Sequence, residues 1–117
     1  MTKENIVNDN TNEVEAMAQV SVTLAKGNKS ANSARVNLLT GFASISVKHT
    51  SGTGVLGVEI VNPTGIDEAV KTWYLNPGES YNSSMVSLPK ETYYLRLSSY
   101  SQNAGGTGTL APSTIIA

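Results

Sequence analysis

The stretch TYYLRLS, residues 92–98, carries the strongest strand signal of the sequence. Successive side chains of a β-strand point to opposite faces, so Tyr93, Leu95 and Leu97 share one face while Tyr94 and Arg96 share the other. Aromatic and aliphatic residues of this kind are also enriched in strands. We therefore predict a β-strand over 92–98 with two chemically different faces.

The same two-residue period recurs along most of the chain. At 43–47, Ala43, Ile45 and Val47 alternate with polar residues, and 56–60 shows the same pattern. We expect these two strands to form a hairpin. The segment 31–39 is ambiguous, and we interpret it as a strand rather than a helical turn. The remaining predicted strands are 18–25, 70–75, 80–88 and 109–117.

Turn signals separate these strands at nearly regular intervals. Asn76–Glu79 has proline second and glycine third, the order that a type II turn prefers. Glycine-containing segments at 26–30, 50–54 and 62–65 supply other turns. About seven or eight short strands without a convincing helical period predict an all-β fold, namely an antiparallel two-sheet β-sandwich of jelly-roll type with an extended N-terminal tail.

The first 15 residues differ in composition from the rest. They contain four acidic residues against one lysine, and their only apolar pair is Ile6 and Val7. Such a pair is too short to pack as an element of its own but sufficient to dock into a groove. We expect 1–15 to be a polar tail or connector and 16–117 to be a single β-sandwich domain.

Composition limits the functions that are open to the chain. Charged residues make up 15% of the 117 residues, against about 25% in average soluble proteins, and the formal net charge is −1. Because no basic run could neutralise several phosphates, nucleic acid is not an expected partner. The absence of cysteine excludes disulfides and thiolate chemistry. No apolar run predicts a membrane span, and residues 1–12 lack the apolar segment of a signal peptide.

The sequence contains no evident catalytic or metal-binding constellation. His49 is the only histidine, and we interpret it as an exposed structural residue at a strand end. No Gly-x-Ser-x-Gly nucleophile elbow is present. The acidic residues fall in or beside turns, where solvated carboxylates are the simpler interpretation. We therefore predict no enzyme activity, no catalytic residues, no metal site and no cofactor.

Four short motifs between residues 46 and 110 indicate a family resemblance. They are VEIVNP at 58–63, LNPGES at 75–80, TYYLRLSSY at 92–100 and GTGTL at 106–110. On these motifs the chain resembles the bacterial pre-peptidase C-terminal module and similar jelly-roll modules of secreted proteins. The resemblance implies a β-sandwich that acts in surface adhesion, glycan contact or assembly. Such modules often hold calcium with acidic loops, whereas Asp67 and Glu68 form the only adjacent acidic pair here.

Aromatic side chains crowd into the second half of the chain, and alternation cannot place all of them inside. Those on the surface could stack on a sugar ring or anchor an interface, and the alternative is ordinary cross-strand pairing. Trp73 also fits the core-facing side of its strand. The candidates for an exposed binding face are Trp73, Tyr81, Tyr94 and Arg96.

Two functions remain open. The leading hypothesis is a non-enzymatic structural subunit that self-associates as a homo-oligomer or filament in a fibre, appendage or surface layer, with Ile6 and Val7 in the inter-subunit contact. The alternative is a glycan-binding or accessory adhesion module of a bacterial surface or secreted protein. Either role indicates an extracellular location or the surface of a cell or spore, while the cytoplasm stays open because no signal peptide is visible.

Overall fold

The computed structural model describes residues 19–113, which form nine strands and no helix. The predicted all-β sandwich is confirmed. Two short strands, β2 and β3, account for the ambiguous segment 31–39 and raise the number of strands above the expected seven or eight. The strands are β1 Val20–Leu24, β2 Ser30–Asn32, β3 Val36–Asn37, β4 Phe42–Gly52, β5 Leu56–Asn62, β6 Glu68–Leu75, β7 Ser80–Ser87, β8 Thr92–Ser98 and β9 Ala104–Pro112.

The strands form two antiparallel sheets that pack face to face. The first sheet has the order β1-β9-β4-β7, and the second has the order β2-β8-β5-β6, with β3 pairing with the beginning of β8. β1 and β2 are consecutive edge strands on one side of the sandwich, and β6 and β7 are consecutive edge strands on the opposite side. We call these two sides the β1/β2 flank and the β6/β7 flank.

The expected hairpin between the segments at 43–47 and 56–60 is wrong. β4 lies between β9 and β7 in the first sheet, whereas β5 lies between β8 and β6 in the second. The loop between them carries the chain from one sheet to the other, so that Val47 and Val58 are buried in the same core from opposite sides. Alternation identifies the buried face of a strand but not its neighbour in the sheet, which explains the error.

Close packing between the sheets depends on glycines in β9. Gly106 and Gly108 lie in the interior rows of the first sheet, which also contain Leu24 and Val47. A Cβ placed on Gly106 would lie 2.5 Å from the carbonyl oxygen of Lys48 and 2.5 Å from Leu56 Cδ2. Side chains of the second sheet therefore fill the space that a side chain on β9 would need.

His49 is buried in the core, with 2% of its surface exposed. The expectation of an exposed histidine is wrong because β4 continues to Gly52, so that its two-residue alternation places His49 on the interior face. The ring Nε2 lies 2.7 Å from the carbonyl oxygen of Gly54, and the backbone N–H donates to the carbonyl of Glu79 over 2.9 Å. These contacts give His49 a structural role at the end of the sandwich.

Candidate functional site

An aromatic pair closes the β6/β7 flank. Trp73 lies opposite Val58 and Tyr81 lies opposite Val47, so each ring is on the interior side of the edge strand of its sheet. The two rings are stacked, with centroids 5.1 Å apart and planes at 29°. Both residues are half-buried. The two candidates thus lie together as a bridge between the sheets.

A tight turn at Asn76–Glu79 joins the two strands of this flank. Gly78 has a φ of 82°, as the third position of the predicted type II turn requires. The N–H of Glu79 donates to the carbonyl of Asn76 over 3.0 Å, and the N–H of Asn76 donates to Glu79 Oε1 over 2.7 Å. The turn therefore fixes the Glu79 carboxylate at one end of the β6/β7 flank.

A shallow groove of about 360 Å³ runs along the same flank. Its lining combines the aromatic pair with the side chains of Lys71, Ser83 and Met85. Met85 is 60% exposed, which is high for an apolar side chain on a strand. The flank thus presents apolar, hydroxyl and ammonium groups side by side on an open surface.

The edge strands of the sandwich are largely uncharged. β1 (VSVTL), β2 (SAN) and β7 (SYNSSMVS) contain no charged residue, while β6 contains Glu68 and Lys71. Within residues 19–113, β1 pairs with β9 alone and β7 pairs with β4 alone. Each of these strands therefore has one side with no strand partner in the described part of the chain.

Tyr94 is buried rather than exposed. It lies on the outer face of the second sheet, opposite Val61, but only 5% of its surface is accessible. Its hydroxyl donates to Asp67 Oδ2 over 2.9 Å, because the turn that precedes β6 lies beside this end of β8. Burial and the hydrogen bond to Asp67 raise the pKa of the Tyr94 hydroxyl. The expectation of an exposed Tyr94 is wrong for this reason.

Arg96 is engaged in an ion pair on the same outer face. Its Nε donates to Glu59 Oε1 over 2.7 Å, and the two side chains are 29% and 25% exposed. The two residues are direct partners in the register of β8 and β5. The pair joins neighbouring strands and leaves the guanidinium less free to recognise a ligand than the sequence indicated.

The exposed aromatic residues are Tyr74 and Tyr100. Tyr74 is 72% exposed, and alternation with Trp73 already placed it on the outer face, although it was not among the candidates. Tyr100 is 103% exposed and lies between β8 and β9, outside any periodic segment. It lines a groove of about 510 Å³ together with Lys29, Ser98, Ser99 and Gln102. The only signal for Tyr100 in the sequence is an aromatic residue within a polar turn.

The described residues contain no arrangement that suggests a metal centre. Across 19–113, no three histidine, cysteine, aspartate or glutamate side chains lie close enough together to hold an ion. The same range includes no helix that is long and apolar enough to span a membrane.

The predicted contact residues Ile6 and Val7 lie outside the described residues.

Comparison with known proteins identifies the fold and no family. No protein-family model matches the chain, and no curated protein matches it. Several solved structures do match the chain. PirA is 12% identical with a TM-score of 0.55, and the match covers 80% of this chain and 91% of PirA. The pre-peptidase C-terminal domain of collagenase from Bacillus anthracis is 15% identical with a TM-score of 0.52, covering 80% of this chain and 88% of that domain.

A third similar structure is the CBM36-1 domain of a multidomain xylanase from the hindgut metagenome of Trinervitermes trinervoides. It is 12% identical with a TM-score of 0.50, and the match covers 80% of this chain and 78% of that domain. The resemblance to the pre-peptidase C-terminal module is therefore confirmed at the level of the fold. At these identities the similarity concerns the fold alone.

Proposed function

We propose that this chain is a non-enzymatic structural subunit that self-associates head to tail through its two flanks. The observation that supports this most concerns the four strands that end the two sheets within residues 19–113, because three of these four strands are uncharged. Monomeric β-proteins usually protect such edges with charged residues, proline, bulges, very short strands or a covering element. β1 and β7 contain neither a charged residue nor a proline. An uncharged edge is suited to pairing with another strand.

Strand direction favours head-to-tail pairing. Three antiparallel steps separate β1 from β7 in the first sheet, so β1 and β7 run in opposite directions. A second copy placed beside the first without inversion would bring its β1 antiparallel to β7. The same holds for β2 and β6 in the second sheet. Both sheets would then continue from one subunit into the next.

Charge at the ends of the flanks supports the same arrangement. β1 ends at Leu24 and β7 begins at Ser80, so the turns that follow β1 and precede β7 lie at the same end of the sandwich. The first turn contains Lys26 and the second contains Glu79, both exposed. Head-to-tail contact would bring these opposite charges toward each other.

A contact of this kind uses different surfaces on the two partners, so it produces an open filament whenever the rotation does not close a ring. A fibre, appendage or surface layer is the form of assembly that follows. We retain Ile6 and Val7 of the 1–15 segment as further contact residues in this proposal. The matching location is extracellular or at the surface of a cell or spore.

Lysines placed on the edge strands β1 and β7 test the proposal. In Ser21→Lys/Ser84→Lys, charges are added to exposed positions of β1 and β7, and in the matched control Thr50→Lys/Thr107→Lys they are added to exposed positions of the interior strands β4 and β9. We expect the full chain and the control to form large species in sedimentation and filaments by electron microscopy, and the edge variant to sediment as a monomer. A monomeric full chain, or an edge variant that assembles like the control, contradicts the proposal.

Deletion of residues 1–15 tests the connector separately. If Ile6 and Val7 contribute contacts, the deleted chain assembles more weakly than the full chain in the same sedimentation experiment. Assembly that is unchanged by the deletion restricts the interface to the flanks.

Glycan binding is the second candidate function. It is favoured by the two exposed tyrosines, Tyr74 and Tyr100, which both lie outside the β6/β7 flank groove. Exposed aromatic rings are suited to stacking on the apolar face of a sugar ring. In this case the chain would act as an accessory adhesion module, with glycans as partners.

A further inference from the structure

The fully exposed ring of Tyr100 lies on a hydrogen-bonded turn. The N–H of Gln102 donates to the carbonyl of Ser99 over 3.1 Å, which closes a four-residue turn with Tyr100 at its second position. Gln102 has a φ of 58°, a conformation that is uncommon for a residue with a side chain. Such a conformation persists only where the surrounding structure holds it.

Hydrogen bonds tie this turn to the turn between β1 and β2. The N–H of Ser99 donates to the carbonyl of Lys29 over 2.8 Å, and the N–H of Gly27 donates to the carbonyl of Gln102 over 3.1 Å. Gln102 Nε2 donates back to the carbonyl of Gly27 over 3.0 Å. The two turns therefore form one unit, and Tyr100 is presented without the entropy cost of ordering a loose loop.

A second set of bonds holds the other side of the turn. The N–H of Asn103 donates to Ser99 Oγ over 3.1 Å, and Asn103 Nδ2 donates to Thr53 Oγ1 over 2.7 Å. The N–H of Gly54 donates to the carbonyl of Asn103 over 2.7 Å. Loops from three connections thus converge on the base of the exposed tyrosine.

The groove beside Tyr100 combines one aromatic ring with polar groups of several kinds. Its volume is about 510 Å³, and its lining residues include Lys29, Ser98 and Gln102, whose side chains end in an ammonium, a hydroxyl and an amide group. A ligand with one apolar face and many hydroxyl groups could use the ring for stacking and the polar side chains for hydrogen bonds. A nucleic acid would need several cations, and Lys29 is the single cation in this lining.

We propose that this groove binds a hexose ring of a glycan, with Tyr100 stacked on the ring face and Ser98 and Lys29 bound to sugar hydroxyls. The proposal rests on the second candidate function and gives it a site that differs from the candidates Trp73, Tyr81, Tyr94 and Arg96. The groove adjoins the turn between β1 and β2 that carries Lys26, so a head-to-tail contact would lie beside it, but its lining residues all belong to one chain and binding does not require assembly.

Tyr74 provides a matched control for Tyr100. Tyr74, Gly57 and Ser98 form one row across three neighbouring strands, so the Cα of Tyr74 lies about 10 Å from the Cα of Ser98. Tyr74 is exposed but is not part of the groove lining. Both tyrosines are accessible, so neither substitution by alanine removes a buried side chain.

The test is binding of the full chain to an array of neutral and uronic-acid oligosaccharides of glucose, galactose and mannose type, followed by calorimetric titration of those that bind. We expect Tyr100→Ala to weaken binding about tenfold and Tyr74→Ala to change it less than about twofold, with unfolding temperatures near that of the parent chain. The edge variant Ser21→Lys/Ser84→Lys should bind like the parent, which separates this site from assembly.

Each of three other outcomes leads to a different conclusion. If no oligosaccharide binds, both the site and the second candidate function are wrong. If glycan binding survives Tyr100→Ala but is lost in Trp73→Ala, glycan binding stands and the site lies in the flank groove instead. If binding depends on Tyr100 while the parent chain remains monomeric, the groove is correct and head-to-tail assembly is wrong.

Discussion

Tyr94 links the outer face of the second sheet to the turn that precedes β6. Its ring is 5% exposed, and its hydroxyl donates to Asp67 Oδ2 over 2.9 Å. A buried hydroxyl that loses its partner costs about 1–3 kcal/mol, so the bond holds Asp67 beside β8. The turn and the strand are thereby linked on the outer face of the second sheet.

The Tyr94 hydroxyl makes the free energy of unfolding depend on pH in the alkaline range. Its pKa is raised by burial and by Asp67, so the folded state retains the proton more strongly than the unfolded chain, whose tyrosine pKa is about 10. The resulting stabilisation is complete below about pH 10 and is lost as the pH rises through the folded-state pKa. We expect Tyr94→Phe to lower the free energy of unfolding by about 0.5–1.5 kcal/mol at pH 7 and to flatten its alkaline decline.

Urea unfolding at a series of pH values from 7 to the alkaline range measures both effects. Tyr100→Phe, a change at a fully exposed tyrosine, is the control and should leave the curve nearly unchanged. Part of the alkaline decline should persist in Tyr94→Phe because burial and Glu91 also raise the pKa of Tyr93. A decline that is identical in the parent chain and in Tyr94→Phe would show that the pKa of Tyr94 is not raised in the folded protein.

Alternation predicts the face of a residue better than its exposure. Trp73 and Leu75 pack against the core, as their positions indicate. Tyr94 is on the opposite face from the core, but it is 5% exposed and its hydroxyl bonds to Asp67, 27 positions away in the chain. Such a contact depends on the path of a turn, which local periodicity does not encode. Tyr100 has no periodic context at all, and only the fold reveals that its turn is exposed and held.

At the scale of elements, the order of strands determines what each strand can do. Turn residues and alternation located most strands, but the sequence could not show that β4 and β5 belong to different sheets. The consequence for function is that β6 and β7 become neighbouring edges, with Trp73 and Tyr81 stacked between them. A flank with an aromatic pair and an exposed Met85 arises only from this order of strands.

The single tryptophan of the chain reports on this flank. Trp73 is half-buried, so a neighbouring subunit on the β6/β7 flank would remove it further from water. We expect its fluorescence emission to shift to shorter wavelength as the protein concentration rises and the chain assembles. Ser21→Lys/Ser84→Lys should show no shift, while the control Thr50→Lys/Thr107→Lys should behave like the parent. Growth of large species without any shift would place the contact away from this flank.

At the scale of the whole molecule, the two flanks differ in charge at the end where their turns lie. Lys26 follows β1 and Glu79 precedes β7, and head-to-tail contact joins one turn to the other between subunits. An exposed ion pair contributes only about 0.2–1 kcal/mol, so this pair would select the orientation of the partner rather than supply most of the affinity. Strand pairing and the burial of the flank would supply most of the binding free energy between subunits.

A charge exchange tests this contact. Glu79→Lys and Lys26→Glu each place like charges at the contact, so we expect each to weaken assembly in sedimentation, and the combined variant to recover most of the loss. Glu79 Oε1 also accepts a hydrogen bond from the N–H of Asn76, so Glu79→Gln is the control that retains an acceptor without the charge. Recovery of assembly in the combined variant would show that the two charges interact between subunits. If Glu79→Lys acted only by damaging the turn at Asn76, the combined variant would contain the same damage and would not recover. Since salt screens exposed charges, the recovery should shrink as the salt concentration rises. A combined variant as weak as the sum of the two single changes would mean that these turns do not meet between subunits.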